Sequence, residues 1–389
     1  MSTNRRESPI NTFYELVRAG LFSVHGEGGT APGRAKRQSR ASEPLFRDVD
    51  WEKVYQLAQE QSASGLVLAG LEHSDIKPPK ELLLQWIGEV QMIEQRNKEM
   101  NAFVADLIER LRKENINAIL VKGQGIAQCY EKPLWRACGD VDLFLSGEDY
   151  NKAKAFLMPL ASSVETEYEN SKHLGMNIDG WTVELHGSLR GSFSRRINRE
   201  MESVQDDTFK RGDVRVWDNG GVSIYLLGKE NDIVYVFAHF LNHFYKEGVG
   251  LRQICDWCRL LWTYRDEIDV KKVESRIRRM GLVSEWKAFY NLASRYLGMP
   301  DLDSSFMFHD SRYDKKADRI MEFILKSGNM GHNRDMSHFN DKPYFTRKCI
   351  SMGRRIGDLI NHARIFPLDS LRFFPNIMFN GVRSAMRGE

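Results

Sequence analysis

Asp140 and Asp142 stand one residue apart in the run Arg136-Ala-Cys-Gly-Asp-Val-Asp-Leu-Phe-Leu145. Strand side chains alternate between faces, so the two carboxylates share one face while Val141, Leu143 and Leu145 supply an apolar opposite face. Like charges held together raise one another's pKa and resist desolvation. A divalent cation relieves that cost. Oxygen donors of this kind suit Mg2+ or Mn2+, which keep several waters and are usually completed by substrate phosphates. The pattern therefore predicts a phosphorylated substrate.

A third acid stands in Trp181-Thr-Val-Glu-Leu-His-Gly-Ser188, where Val183, Glu184 and Leu185 again alternate and Glu184 shares a face with His186. If this strand lies beside the first, Asp140, Asp142 and Glu184 form a cluster able to hold two metal ions for in-line displacement at phosphorus. Upstream, Ile116-Asn-Ala-Ile-Leu-Val-Lys-Gly-Gln-Gly125 reads as a buried strand ending in a glycine turn, followed by a short helical pattern over Ile126 to Glu131. Such a turn offers backbone amides to a phosphate near a helix start.

The order of these pieces resembles the uncharacterised nucleotidyltransferase family of the polymerase β-like superfamily: apolar strand, Lys-Gly turn, short helix with Tyr130 and Pro133, Arg-x-x-x-Asp-x-Asp, then apolar-Glu-apolar-His. The resemblance implies a mixed-sheet α+β core with helical N-terminal and C-terminal regions. It implies a nucleotide held by the turn at Lys122 and Gly123, metal ligands at Asp140 and Asp142, and Glu184 as the third acid. Phe13-Tyr-Glu-Leu-Val-Arg-Ala-Gly-Leu21 and Asp50-Trp51 look like the family's N-terminal helices. His239-Phe-Leu-Asn-His243, Leu251-Arg252 and Asp256 look like its helical C-terminal half, which would bring His239, His243, Arg252 and Asp256 to the cleft with His186. Two positions depart from the superfamily's pattern: Gly123-Gln124-Gly125 replaces the usual Gly-Ser, and the third acid is Glu in place of Asp.

Each neighbouring residue carries a bland reading beside the functional one. Lys122 neutralises a phosphate, or is a solvated strand end. Arg136 clamps triphosphate oxygens with its planar fork, or bridges to Asp140 or Glu131. His186 and His173 are partners of the metal ligands, or hydrogen-bonded packing residues. His239 with His243 and Cys255 with Cys258 have helical spacing and the donor types of a tetrahedral zinc site, yet both pairs sit in apolar helical patterns where cysteine behaves as a small hydrophobe.

At 389 residues, with 42% hydrophobic residues and a net charge of +3, the chain can bury substantial cores, and global charge gives no argument for a polynucleotide partner. The expected divisions are 1–45, an N-terminal helix and mobile linker; 46–228, a helical segment plus the sheet core; and 229–389, a helical domain. Asn11 to Phe22 reads as an amphipathic helix, His25 to Ser42 as the linker, and Trp51 to Lys113 as helices punctuated at Pro78-Pro79. The sheet spans about Ile116 to His186 with a helix over Asp149 to Leu160. A ribbon follows at Val214 to Trp217 and Val222 to Leu226, then helices from Lys229, broken at Pro300 and through Ser327 to Lys342. Five cysteines without framework spacing and an N-terminus without an apolar signal core predict reduced thiols and a cytoplasmic setting. No stretch is apolar enough to span a membrane. The C-terminal run Ile365 to Phe379 reads as packing back on its own domain or touching a membrane surface.

The expected function is metal-dependent transfer of a nucleoside monophosphate from an NTP to an unidentified acceptor, a small molecule, a protein or an RNA end, with release of pyrophosphate. The alternative is a catalytically inactive nucleotide-binding or protein-interaction module of the same fold.

Overall fold

A computed structural model describes residues 8–22, 49–167, 172–191, 194–246, 248–302, 306–329, 344–373 and 375. The linker expected over His25 to Ser42 lies outside the described residues, as do most of Ser327 to Lys342 and the end of the C-terminal run. In chain order, α1 (Pro9–Phe22), α2 (Trp51–Glu60), α3 (Ser64–Glu72) and α4 (Lys80–Lys113) precede β1 (Ala118–Val121) and α5 (Gly123–Ala127). Then follow β2 (Asp140–Leu145), α6 (Gly147–Leu157), β3 (Ser163–Val164), β4 (His173–Ile178), β5 (Trp181–His186), α7 (Arg195–Phe209), β6 (Val214–Asn219) and β7 (Val222–Leu227). The remainder is helical: α8 (Lys229–Lys246), α9 (Leu251–Thr263), α10 (Val270–Met280), α11 (Val283–Leu297), α12 (Asp314–Ser327) and α13 (Tyr344–Ile365).

The seven strands form one mixed sheet in the order β3-β4-β5-β2-β1-β7-β6. At its centre β2 runs antiparallel to β1 and parallel to β5, while β1 runs parallel to β7. The alternation along β2 sorts the sheet into two sides. Val141, Leu143 and Leu145 join Leu120, Val183 and Leu185 in a core closed by α4 and α6, with Val104, Leu107, Tyr150 and Leu157. Phe144, Ile119 and Val121 face the opposite way, into a larger core shared by α1 to α3 and the C-terminal helices. Asp140 and Asp142 share the parity of Phe144, so the acids lie on the side that the C-terminal helices cover.

Several boundaries differ from the sequence expectation for identifiable reasons. The short helix starts at Gly123 and ends at Ala127, with a separate 3-10 turn at Pro133–Trp135, because the prolyl ring cannot continue an α-helix. The helix expected from Asp149 begins at Gly147, since the Ser146 hydroxyl accepts from the Asp149 amide at 3.1 Å and caps it. Its last turn tightens to a 3-10 helix over Met158–Leu160. β4, β3 and α7 have no counterpart in the expectation. β4 and β5 form a hairpin whose turn residues Asp179 and Gly180 both take positive φ, 51° and 83°. That Asp-Gly pair between alternating apolar residues is the sequence signal for it.

Of the C-terminal run, Ile365, Phe366 and Phe373 are buried in the larger core, and the rings of Phe366 and Phe373 meet Tyr245 of α8. Among the described residues no helix is long and apolar enough to cross a membrane.

Candidate active site

Asp142 and Glu184 sit opposite each other on the parallel strands β2 and β5, with Asp140 two residues earlier on the same face. Oxygen atoms of Asp140, Asp142 and Glu184 lie within 4.8 Å of one another. The parallel pairing produces this convergence: a slip of one residue would turn Glu184 into the apolar core and bring Val183 and Leu185 to the acid face.

The turn after β1 completes one edge of the cluster. Lys122 adopts φ 58°, ψ −143°, a conformation ordinarily left to glycine, which costs about 1–3 kcal/mol. Gly123 follows at φ 38°, and a Cβ there would come within 3.6 Å of the Asp140 carbonyl. The reversal drives the Lys122 side chain back over the sheet, where Nζ lies 2.6 Å from Asp142 Oδ1. Burial works against the Lys122 ammonium, but Asp142, with help from Tyr235, Asp140 and Glu184, outweighs it and raises the pKa.

Three carboxylates thus face one ammonium. The Asp142 charge, reinforced by burial, raises the pKa of Asp140. Burial also opposes ionisation of Glu184, yet hydrogen bonds from His173 and His186 and the nearby Lys122 hold it well below the usual carboxylate range. His186 Nε2 lies 2.7 Å from Asp142 Oδ1 and 3.5 Å from Glu184 Oε2. Burial disfavours the imidazolium, but those two carboxylates prevail and raise its pKa. His173, on β4, approaches the same Glu184 oxygen at 3.1 Å.

Helix α8 closes the site from above the sheet. Tyr235, His239 and His243 follow one another at helical spacing, with ring centroids 5.8 Å and 4.6 Å apart. Burial, then the Lys122 charge, pushes the His239 pKa well down. Its Nε2 lies 3.1 Å from that of His243, so one imidazole donates to the other. Tyr235 was not among the residues singled out in the sequence. Its position four before His239 on a buried helix was the available signal.

Arg136 and Asp256 are engaged with each other. Arg136 Nε and Nη2 donate to the two Asp256 oxygens at 2.8 and 2.6 Å, and Tyr130 donates to the same carboxylate at 2.8 Å. The partner of Arg136 is therefore neither Asp140 nor Glu131, and two arms of the fork are already committed. Arg252 donates to the Ala137 carbonyl and lies close enough to Asp140 to favour its ionised form. Gln124 is buried and donates to Asn97 Oδ1 at 2.9 Å, away from the acids and toward α4. Cys255 and Cys258 are fully buried beside the aromatic residues of the larger core. Among the described residues the convergent donor groups are Asp140, Asp142 and Glu184, and His173, Glu184 and His186; the histidine-cysteine set is not one.

The sequence model described as Uncharacterised nucleotidyltransferase matches residues 47–298. A solved structure, an antigenic nucleotidyltransferase-like protein from Paracoccidioides brasiliensis, is similar at 12% identity over 55% of this chain and 97% of its own. Its TM-score of 0.33 is too low to carry an argument. Among curated proteins none matches significantly.

Proposed function

The chain belongs to the uncharacterised nucleotidyltransferase family, and from that premise we propose that it is a divalent-metal-dependent, polymerase β-like nucleotidyltransferase. It moves a nucleoside monophosphate from an NTP to an acceptor and releases pyrophosphate. The observation that carries this reading is the convergence of Asp140, Asp142 and Glu184 on one face of paired parallel strands, beside the Lys122-Gly123 turn.

The donor set fits a hard divalent cation. Its ligands are oxygen-rich, and three carboxylates converge around one ammonium, that of Lys122. Asp140, Asp142 and Glu184 would hold Mg2+ or Mn2+, which when bound offsets charge developing on the transferred phosphoryl group and the leaving pyrophosphate.

The chain's own groups do the positioning. Lys122, strained at a turn and aimed across the acids, would offer its ammonium to the triphosphate. Glu184, hydrogen-bonded by His173 and His186, would complete the metal site and accept a hydrogen bond from the acceptor's nucleophilic group. The inactive-module alternative has no observation of its own in its favour, since all three acids share the one face.

Incubation with NTPs labelled at the α-phosphate, Mg2+ and cell extract tests the proposal. Label should pass to a protein, RNA or small-molecule fraction, and less by at least about a hundredfold with Asp140→Asn. Nucleotide binding without transfer to any fraction would mark a binding module.

A further inference from the structure

His173 and His186 form a second donor set with Glu184, of different chemistry from the three acids. The two histidines are directly opposite on the antiparallel strands β4 and β5. Their rings stack with centroids 4.7 Å apart and planes 15° from parallel. Both approach one atom: Glu184 Oε2 is 3.1 Å from His173 Nε2 and 3.5 Å from His186 Nε2, the latter nitrogen also lying 2.7 Å from Asp142 Oδ1. We propose that His173, His186 and Glu184 form a separate metal site for a zinc-class divalent transition ion, with Glu184 shared between it and the three-acid cluster.

Ligand spacing supports this assignment. Zinc–nitrogen and zinc–oxygen bonds of about 2.1 Å set neighbouring ligands roughly 3.0–3.5 Å apart in octahedral or tetrahedral geometry. The two measured separations fall at the ends of that interval. Donor type supports it too: imidazole nitrogens favour zinc and its neighbours, whereas magnesium keeps to oxygen. Access is adequate, since the side chains of His173 and Glu184 are about a quarter exposed (26% and 25%) and open positions remain for water. Strand pairing fixes the three donors before any ion arrives, which lowers the ordering cost of binding.

The two sites share Glu184, and His186 also bonds to Asp142 at 2.7 Å, but the zinc-class ion is read by affinity and spectrum, not by turnover, so its test is separate from that of the catalytic proposal.

The full-length protein, stripped by chelator, is titrated with Co2+ by visible absorption and with Zn2+ in competition with a chromophoric chelator. Mg2+ binding is measured in parallel by thermal shift. Wild type should bind Co2+ with the absorption of a nitrogen-ligated ion, and His173→Ala should weaken Zn2+ binding at least tenfold. His173→Gln keeps a hydrogen-bond donor for Glu184 but offers a poor ligand, and it should lose Zn2+ to the same extent while changing Mg2+ binding less than twofold. Equal Zn2+ affinity in wild type and His173→Gln, or no Co2+ spectrum in a folded wild type, overturns the proposal. Either result leaves the Mg2+ and transfer measurements to be judged on their own.

Discussion

Lys122 and Asp142 make a buried ion pair at the mouth of the acid cluster, 2.6 Å from Nζ to Oδ1, with 14% and 2% of the two side chains exposed. His186 bonds to the same oxygen. Asp142 is thus surrounded by partners, whereas Asp140 is opposed chiefly by the Asp142 charge.

The two aspartates should therefore affect stability with opposite signs. Asp140→Asn removes a repelled charge and should stabilise the metal-free protein by about 1 kcal/mol, the usual size of a relieved charge conflict. Asp142→Asn leaves Lys122 buried without its counter-charge and should cost roughly 3–5 kcal/mol. Urea unfolding in chelator checks both; shifts of the same sign would contradict the electrostatic picture.

Arg136 and Asp256 should behave as a structural clamp between the 3-10 turn and α9. Arg136→Ala or Asp256→Ala alone strands a buried charge and should cost about 3–5 kcal/mol, while Arg136→Met with Asp256→Leu should recover most of the loss. A double-mutant cycle by chemical denaturation measures the coupling. Additive losses would mean that the bidentate geometry contributes little.

How much of this arrangement was legible beforehand depended on whether local pattern or distant partner decided it. The parity of Asp140, Asp142 and Glu184 follows from strand alternation, and the ribbon at β6 and β7 from its apolar runs around Gly220-Gly221. Arg136 was different: its partner lies 120 residues away on a helix, and no local spacing encodes that pairing. The sequence leaves His173 open between a partner of the metal ligands and a packing residue, because its place opposite His186 depends on the hairpin pairing. Once the Asp179-Gly180 hairpin is in place, His173 must stand opposite His186. The zinc reading of His239, His243, Cys255 and Cys258 failed because helical periodicity shows that two residues share a face, not that two faces meet.

Glu285 supplies a pH test remote from the site. It is fully buried, with Tyr245 donating at 3.4 Å and Oε2 without a hydrogen-bond partner. Burial, then the nearby Asp369, raises its pKa well above the ordinary value. A carboxyl raised on folding contributes stability that is complete below its unfolded pKa and is lost as pH rises through the folded one. Wild type should lose stability from about pH 5 toward alkaline pH. Glu285→Gln, neutral throughout, should flatten that slope. Parallel stability–pH curves for the two proteins would count against a protonated Glu285.

The most direct test of the central claim is pyrophosphate release in the same extract with Mg2+ and NTP, comparing wild type with Glu184→Gln. Glu184→Gln keeps the size of the side chain and its place opposite Asp142 while removing the charge that completes the cluster. We predict release by wild type and at least about a hundredfold less by the variant. Equal release by the two proteins, with both folded, would contradict the account.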